Sequence, residues 1–162
     1  MRPPAPTLLL LCTNTMHKVA DQVQAAVGIP LLHLAEATAA AVHRAEVSTV
    51  GLLGTAFTME QDFYRDRLSG HGLRVLVPSV ADRAEVHRIT TTSCASALCA
   101  RSRGRCTARV IRRLVEYGAE GVVLGCTEIE LLVGTADSPV PVFPTTRLHV
   151  EAAVAASLEG IT

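Results

Sequence analysis

Residues 121–128, Gly-Val-Val-Leu-Gly-Cys-Thr-Glu, carry the pattern that decides the fold class. The apolar residues 121–124 form a continuous run rather than an alternation, which is typical of a strand buried on both faces of its sheet. Such strands occur in parallel sheets that helices cover on both sides. The polar residues that follow, Cys126, Thr127 and Glu128, therefore lie beyond the carboxyl end of a strand, where ligands of such sheets bind.

The same strand pattern recurs along the chain and alternates with helical periodicity. The predicted strands are 7–12, 29–32, 48–53, 74–77, 121–124 and 140–143. The predicted helices are 16–27, 35–43, 57–68, 82–89, 108–117, 129–133 and 145–158. This alternation predicts an α/β fold built on parallel sheets.

Composition excludes several classes of function. The 162 residues suit one domain, or two small ones of roughly 80 residues each. Fifteen basic and fifteen acidic residues give zero net charge, and aromatic residues make up 3%, so we expect no nucleic-acid partner. A mean hydropathy of +0.32 with 19% charged residues argues against disorder. The apolar run at 8–12 is too short for a membrane span of ~20 residues or for a signal peptide, so we expect a cytoplasmic protein.

The five cysteines show neither a disulfide framework nor the spacing of zinc ligands. They are Cys12, Cys94, Cys99, Cys106 and Cys126. The glycines near residue 51 lack the spacing of a dinucleotide-binding turn. We therefore expect neither a metal nor a cofactor, and the thiols are either core residues or catalytic groups.

Two strand ends resemble one another and predict the chemistry. Residues 8–14, Leu-Leu-Leu-Leu-Cys-Thr-Asn, match residues 122–128, Val-Val-Leu-Gly-Cys-Thr-Glu. This internal repeat suggests two related lobes, each contributing a thiol to a shared cleft. A helix N-terminus is expected to lower the pKa of each thiol, and the adjacent hydroxyl and N–H groups favour binding of a carboxylate. Thiols on opposite sides of one carbon suit proton removal from one face and proton delivery to the other.

Less specific interpretations remain open for several residues. Cys12 or Cys126 taken singly is more often a small core residue. His17 and His33 are either general bases or histidines satisfied by local hydrogen bonds. Thr145 and Thr146 either cap the last helix or contact substrate. Glu128 is either a first-turn acid or a ligand for the substrate ammonium group.

The motifs together resemble the aspartate/glutamate racemase family of cofactor-independent amino-acid racemases. The matching stretches are residues 11–18, Leu-Cys-Thr-Asn-Thr-Met-His-Lys; 51–59, Gly-Leu-Leu-Gly-Thr-Ala-Phe-Thr-Met; and 118–129, Gly-Ala-Glu-Gly-Val-Val-Leu-Gly-Cys-Thr-Glu-Ile. Residues 141–143, Pro-Val-Phe, before two threonines also fit. The resemblance implies two αβα lobes related by a pseudo-twofold axis, a homodimer, and racemisation of aspartate or glutamate.

The resemblance also implies roles for seven residues. Cys12 and Cys126 would be the two acid/base cysteines. The α-carboxylate of the substrate would be held by Thr13, Asn14, Thr15 and Thr127. Glu128 would lie at the polar end of the substrate.

Relative to the family, the chain is predicted to be N-terminally truncated. Residues 1–46 plus 144–162 would form an incomplete first lobe, and residues 47–143 the second lobe. We expect the incomplete lobe to leave strand edges and helix faces uncovered, with poor solubility or reliance on a partner as the consequence. The alternatives to an active racemase are an inactive remnant or binding fragment and, within the superfamily, a decarboxylase or another isomerase.

Residues 90–106 depart from the family pattern and show no helical apolar period. Read one base out of frame, their codons can encode family-like sequence. We therefore hypothesise a local frameshift that opens near Ile89 and closes near Thr107, and resequencing of the locus tests it. The alternative is an ordinary divergent loop.

Overall fold

The computed structural model describes residues 8–92 and 97–159, and all of its strand pairs are parallel. A two-stranded sheet pairs β1 (Leu9–Leu10) with β2 (Leu31–Leu32). A four-stranded sheet has the order β4-β3-β5-β6. Its strands are β3 (Thr49–Gly54), β4 (Arg74–Leu76), β5 (Gly121–Gly125) and β6 (Val142–Pro144). The predicted α/β fold with parallel sheets is confirmed.

Eight α-helices alternate with these strands in the described part of the chain. They are α1 (Ala20–Ala26), α2 (Leu34–Arg44), α3 (Ala56–Glu60), α4 (Asp62–Gly70), α5 (Val80–Thr91), α6 (Ala97–Glu116), α7 (Thr127–Glu130) and α8 (Thr145–Glu159). Two short 3₁₀ helices cover Thr15–Val19 and Thr135–Asp137. No described helix is both long and apolar enough to cross a membrane.

The core lies on both faces of the larger sheet, because every residue of its two central strands is buried. Leu52 and Val123, paired in register, face a cluster that includes residues of α2 and α4. Leu53 and Leu124, the next pair, face a second cluster that includes residues of α5 and α6. Successive strand residues point to opposite faces, so the continuous apolar runs follow directly from burial on both sides.

Gly51 lets helix α6 approach the centre of the sheet. A Cβ atom at Gly51 would lie 2.8 Å from Cδ1 of Leu114, which is itself buried on α6. Since real Cβ contacts are longer, the helix packs at this distance only over a residue without a side chain. The glycine is thus a packing requirement rather than part of a nucleotide-binding turn.

Several predicted boundaries are wrong, and local geometry gives the reasons. Of the described residues of the predicted strand 7–12, only Leu9 and Leu10 are paired, and the predicted helix 16–27 starts as the 3₁₀ helix Thr15–Val19 before α1. The predicted helix 57–68 is divided by Gln61, whose extended backbone (φ −87°, ψ 147°) separates α3 from α4. The short predicted helix 129–133 is the single turn of α7.

Residues 97–106 form the first half of the 20-residue helix α6, although their sequence predicts no helix. The helix therefore begins well before the predicted start at residue 108. Cys94 lies outside the described residues. The frameshift hypothesis concerns the gene and stays a prediction.

The smaller sheet leaves apolar side chains in contact with solvent. Leu10 of β1 and Val150, Val154 and Leu158 of α8 are all exposed. The described part of the chain therefore has exposed apolar side chains on β1 and α8. The predicted division into lobes at residues 46 and 143, and the poor solubility, stay predictions.

Candidate active site

A cavity of about 240 Å³ lies where the ends of β1 and β5 approach each other. All seven residues selected from the sequence line it, namely Cys12, Thr13, Asn14, Thr15, Cys126, Thr127 and Glu128. Residues far apart in sequence and belonging to two different sheets thus meet in one cavity. A larger cavity of about 580 Å³ beside β6 is lined by none of these residues and contains no thiol.

Cys126 follows β5 directly and is the residue before α7. Its side chain is buried, and Sγ donates a hydrogen bond to Oε2 of Glu128 over 2.6 Å. Burial and the neighbouring Glu128 carboxylate raise the pKa of the thiol to about 12. The prediction of a lowered pKa is therefore wrong for Cys126. The backbone N–H groups of Glu128 and Ile129 do act in the predicted direction, but desolvation and the carboxylate outweigh them.

Glu128 is the ionised partner of this thiol. The hydrogen bond from Cys126 holds the pKa of the carboxyl below its usual range, and the Thr127 hydroxyl contributes a weaker contact at 3.3 Å. The Glu128 side chain is exposed at the mouth of the cavity. The pair therefore rests with the proton on sulfur and the negative charge on Glu128.

Cys12 has a different environment from Cys126. It is exposed at the end of the smaller sheet and lines both the 240 Å³ cavity and an adjoining groove along α8. Leu10, Val154 and Leu158 also line that groove. The matching motifs at the two strand ends thus place one thiol in a buried site and the other in a solvent-accessible one.

Asn14 connects the two strand ends across the cavity. The Thr145 hydroxyl donates its proton to the carbonyl oxygen of Leu124 at 2.9 Å. Its Oγ1 in turn accepts a hydrogen bond from Asn14 Nδ2 at 3.1 Å. Oδ1 of Asn14 is buried and has no hydrogen-bond partner among the described residues. An unpaired buried acceptor costs about 1–3 kcal/mol, and such groups in native structures are often functional.

The two threonines at the start of α8 have separate partners. The Thr145 hydroxyl bonds Leu124 of β5 and Asn14, so it links β5 to the segment that follows β1. The backbone N–H of Thr146 donates to Oε1 of Glu130 at 2.9 Å, and Thr146 lines the cavity.

His17 and His33 are satisfied histidines rather than bases that face the cavity. His17 Nδ1 lies 2.8 Å from the Thr13 carbonyl oxygen, and its Nε2 accepts from the Leu34 backbone N–H at 3.1 Å. His33 Nδ1 accepts from the backbone N–H of Ala35 at 3.1 Å. Burial lowers the pKa of His17 and, with the adjacent histidines and Arg67, lowers that of His33 to about 3. Both rings are therefore neutral near pH 7.

His149 is the cavity residue that the sequence interpretation missed. Its Nε2 lies 2.8 Å from the Leu32 carbonyl oxygen, and the residue lines the cavity together with Thr146 and Val150. The helical spacing from Thr146 to His149 and Val150 was the available signal. Thr55, which follows β3, was another strand-end residue that reaches the cavity. Among the described residues, no group of three or more side chains has an arrangement suited to a metal ion.

The fold and the site define a class: a parallel α/β protein in which strand ends from two sheets bring two thiols and several threonines to one cavity. The profile of the Asp/Glu/Hydantoin racemase family matches residues 4–153. The chain belongs to this family.

Solved structures agree with this assignment. A crystal structure of a candidate Asp/Glu racemase from Yersinia pestis is 44% identical, with a TM-score of 0.87 over 94% of this chain and 66% of that one. An aspartate racemase homologue from Pyrococcus horikoshii is 32% identical, with a TM-score of 0.84 over 93% and 66% of the two chains. The glutamate racemase of Francisella tularensis, solved with D-glutamate, shares the fold at 15% identity, with a TM-score of 0.70 over 95% and 58%. The chain thus spans about two thirds of the length of the Yersinia pestis and Pyrococcus horikoshii proteins.

Proposed function

We propose that this chain racemises an acidic amino acid, aspartate or glutamate, by two-base proton transfer between Cys12 and Cys126. The observation that supports it is that both thiols line one cavity of about 240 Å³ from the ends of strands in different sheets. A substrate seated between them would present opposite faces of its α-carbon to the two sulfur atoms. We further propose that the enzyme is cytoplasmic, needs no cofactor and acts as a homodimer.

The proton balance of the reaction needs only the two thiols. One cysteine, as thiolate, takes the α-proton and becomes a thiol, which leaves a carbanion conjugated with the α-carboxylate. The other thiol donates its proton to the opposite face and becomes the thiolate. The amino acid is inverted, no group is oxidised or reduced, and the two sulfur atoms have exchanged roles.

The protonation state of Cys126 before substrate binds decides which cysteine acts first as the proton donor. Because its pKa is raised to about 12, Cys126 starts as the proton donor and Cys12 as the base. In the opposite direction Cys126 acts as the thiolate, which is the form that it reaches each time it has donated its proton.

The polar cavity wall suits the α-carboxylate and the charge that develops on it. We propose that Thr13, Thr15 and Thr127 bind this carboxylate through hydroxyl and backbone N–H groups. Asn14 contributes the Nδ2 hydrogen that Thr145 does not use. Donors aimed at the developing charge stabilise the carbanion. Glu128 is proposed to lie nearest the substrate ammonium group.

Exchange of the α-proton in D₂O tests the function directly. We expect the chain to incorporate deuterium into L- and D-aspartate or L- and D-glutamate, monitored by proton NMR, with chiral chromatography of the same samples. Inversion accompanied by exchange supports racemisation. Release of CO₂ would indicate a decarboxylase. Absence of exchange from all four compounds would mean that the chain is an inactive remnant or a binding fragment.

Replacing Glu128 with glutamine is expected to lower the pKa of the Cys126 thiol, because the substitution removes the negative charge next to the sulfur while keeping its shape. The wild-type thiol ionises only near pH 12, so its thiolate fraction grows as the pH rises. At pH 9 the variant should be alkylated at Cys126 several-fold faster, measured by peptide mass spectrometry after treatment with iodoacetamide.

Glu130→Gln is the matched control for this titration. The Glu130 carboxylate accepts a hydrogen bond from Thr146 and none from Cys126, so its loss should leave the alkylation rate unchanged. An equal rate at Cys126 in the Glu128 variant and the wild type would contradict the proposed pairing.

A further inference from the structure

His17 bridges two backbone groups that belong to different parts of the chain. The backbone N–H of Leu34 donates to Nε2 at 3.1 Å, so Nε2 carries no proton. Nδ1 lies 2.8 Å from the carbonyl oxygen of Thr13, which can only accept, so Nδ1 carries the proton. Only the neutral Nδ1–H tautomer forms both hydrogen bonds.

The two ends of this bridge differ in how firmly the fold holds them. Leu34 begins α2, and this residue is buried in the core cluster that packs on β3 and β5. Thr13 belongs to the segment that carries Cys12 into the cavity and follows a strand with only two paired residues. So short a ladder gives the segment little support of its own.

We propose that His17 is a positioning residue: its imidazole ties the carbonyl of Thr13 to the first amide of α2 and thereby sets the place of Cys12 and Thr13 in the cavity. The proposal rests on the proposed function for its effect on turnover. The tautomer of His17 and the reactivity of Cys12 do not depend on the proposed function, because both are measurable in an inactive protein.

The groups around His17 keep its ring neutral. His33, which precedes α2, lies 4.6 Å away between ring centroids, and His149 on α8 lies 5.9 Å away. Arg67 on α4 adds positive charge. The carboxylates near this site, Asp21 and Glu36, are engaged with Arg67 at 3.5 and 2.8 Å.

Protonation would break the bridge at one end. A proton added to Nε2 of His17 would point at the N–H of Leu34, and two donors cannot bond. Burial, together with the charges of His149 and Arg67, lowers the pKa of His17 below 6.5. The native state therefore resists protonation, and the bridge is complete above pH 6.5 and is lost as the pH falls through the lowered pKa. We expect Cys12 to leave its position over the same range of pH.

Two substitutions of His17 each keep one of its two hydrogen bonds and remove the other. His17→Asn places an amide N–H near the position of Nδ1 and keeps the bond to Thr13. His17→Gln places an amide oxygen near the position of Nε2 and keeps the bond to Leu34. Because each variant breaks the bridge at one end, we expect kcat to fall about tenfold or more in both, with little change in KM in either.

His33→Asn is the matched control, because its side-chain oxygen can still accept from Ala35 at the start of α2, and the ring does not bond to the cavity segment. It should retain the wild-type kcat. If His17 had only a structural role, kcat per folded molecule would be unchanged in both His17 variants while their stability fell. That outcome would overturn the proposal.

Two measurements do not depend on racemase activity. Long-range proton–nitrogen NMR of the labelled protein should show His17 as the Nδ1–H tautomer at pH 7. The rate of Cys12 alkylation should change at least about threefold in both His17→Gln and His17→Asn, and remain near that of the wild type in His33→Asn. Detection of the Nε2–H tautomer, or an unchanged Cys12 rate in the glutamine variant, would refute the positioning role even if wild-type racemisation is observed. Absence of racemisation with these two results intact would contradict the proposed function alone.

Discussion

Replacing Cys126 with serine is expected to slow racemisation of the acidic amino acid by about 10²- to 10⁴-fold, the usual contribution of a general acid–base group. Serine keeps the shape and the hydrogen bond to Glu128, but its hydroxyl is a far weaker acid than the thiol. The rate is followed by chiral chromatography, and α-proton exchange in D₂O is measured in parallel for each enantiomer.

Cys12→Ser should reduce racemisation to a similar extent while leaving exchange from one enantiomer only. Each half-reaction needs one base, so a variant with one thiol can still remove and return a proton on a single face. Cys106→Ser is the control, since this thiol contacts Glu85 and Arg109 and does not line the cavity. Full racemase activity in either cavity variant would refute the two-thiol mechanism. If Cys12→Ser alone is fully active, loss of activity in Thr13→Val would point to the neighbouring hydroxyl as the second group.

Thr145→Val is expected to lower the free energy of unfolding by about 2 kcal/mol and to reduce kcat. Valine preserves the volume at this buried position but removes the oxygen that donates to Leu124 and accepts from Asn14. Asn14 would then lose the side-chain partner that its Nδ2 has among the described residues, while its Oδ1 is already unpaired there. Each buried group left unsatisfied costs about 1–3 kcal/mol. Urea denaturation measures the stability, and the exchange assay measures the turnover.

Thr145→Ser provides the comparison that isolates the hydroxyl. Serine keeps both hydrogen bonds and loses one methyl group, for which about 1 kcal/mol is expected. Its kcat should stay close to that of the wild type. Equal turnover in the valine and serine variants would show that the link between Asn14 and Thr145 does not organise the cavity.

Periodicity predicted the larger sheet well because its two central strands are buried on both faces. Residues 48–53 and 121–124 correspond to β3 and β5 to within one residue at each end. The prediction failed where tertiary contacts override local pattern. Residues 97–106 lack an apolar stripe yet begin the long helix α6, and of the described residues of the predicted strand 7–12 only Leu9 and Leu10 are paired.

The site was predictable as a list of residues but not as an environment. The repeated strand–Cys–Thr pattern selected Cys12 and Cys126, and both line the cavity. The same pattern predicted matching thiols with lowered pKa values. In the structure one thiol is exposed, and the other is buried against Glu128 with its pKa raised to about 12.

The amino-acid sequence by itself determined the fold class, the family and the identity of the residues at the strand ends, because continuous apolar runs and their following polar residues are local properties. Only the tertiary structure decided how those residues are solvated and which atoms they bond. Burial, the 2.6 Å contact of Cys126 with Glu128, the link from Asn14 to Thr145 and the two-ended bond of His17 all join groups that the fold brings together. Proton affinities depend on these surroundings, and periodicity and spacing do not contain them.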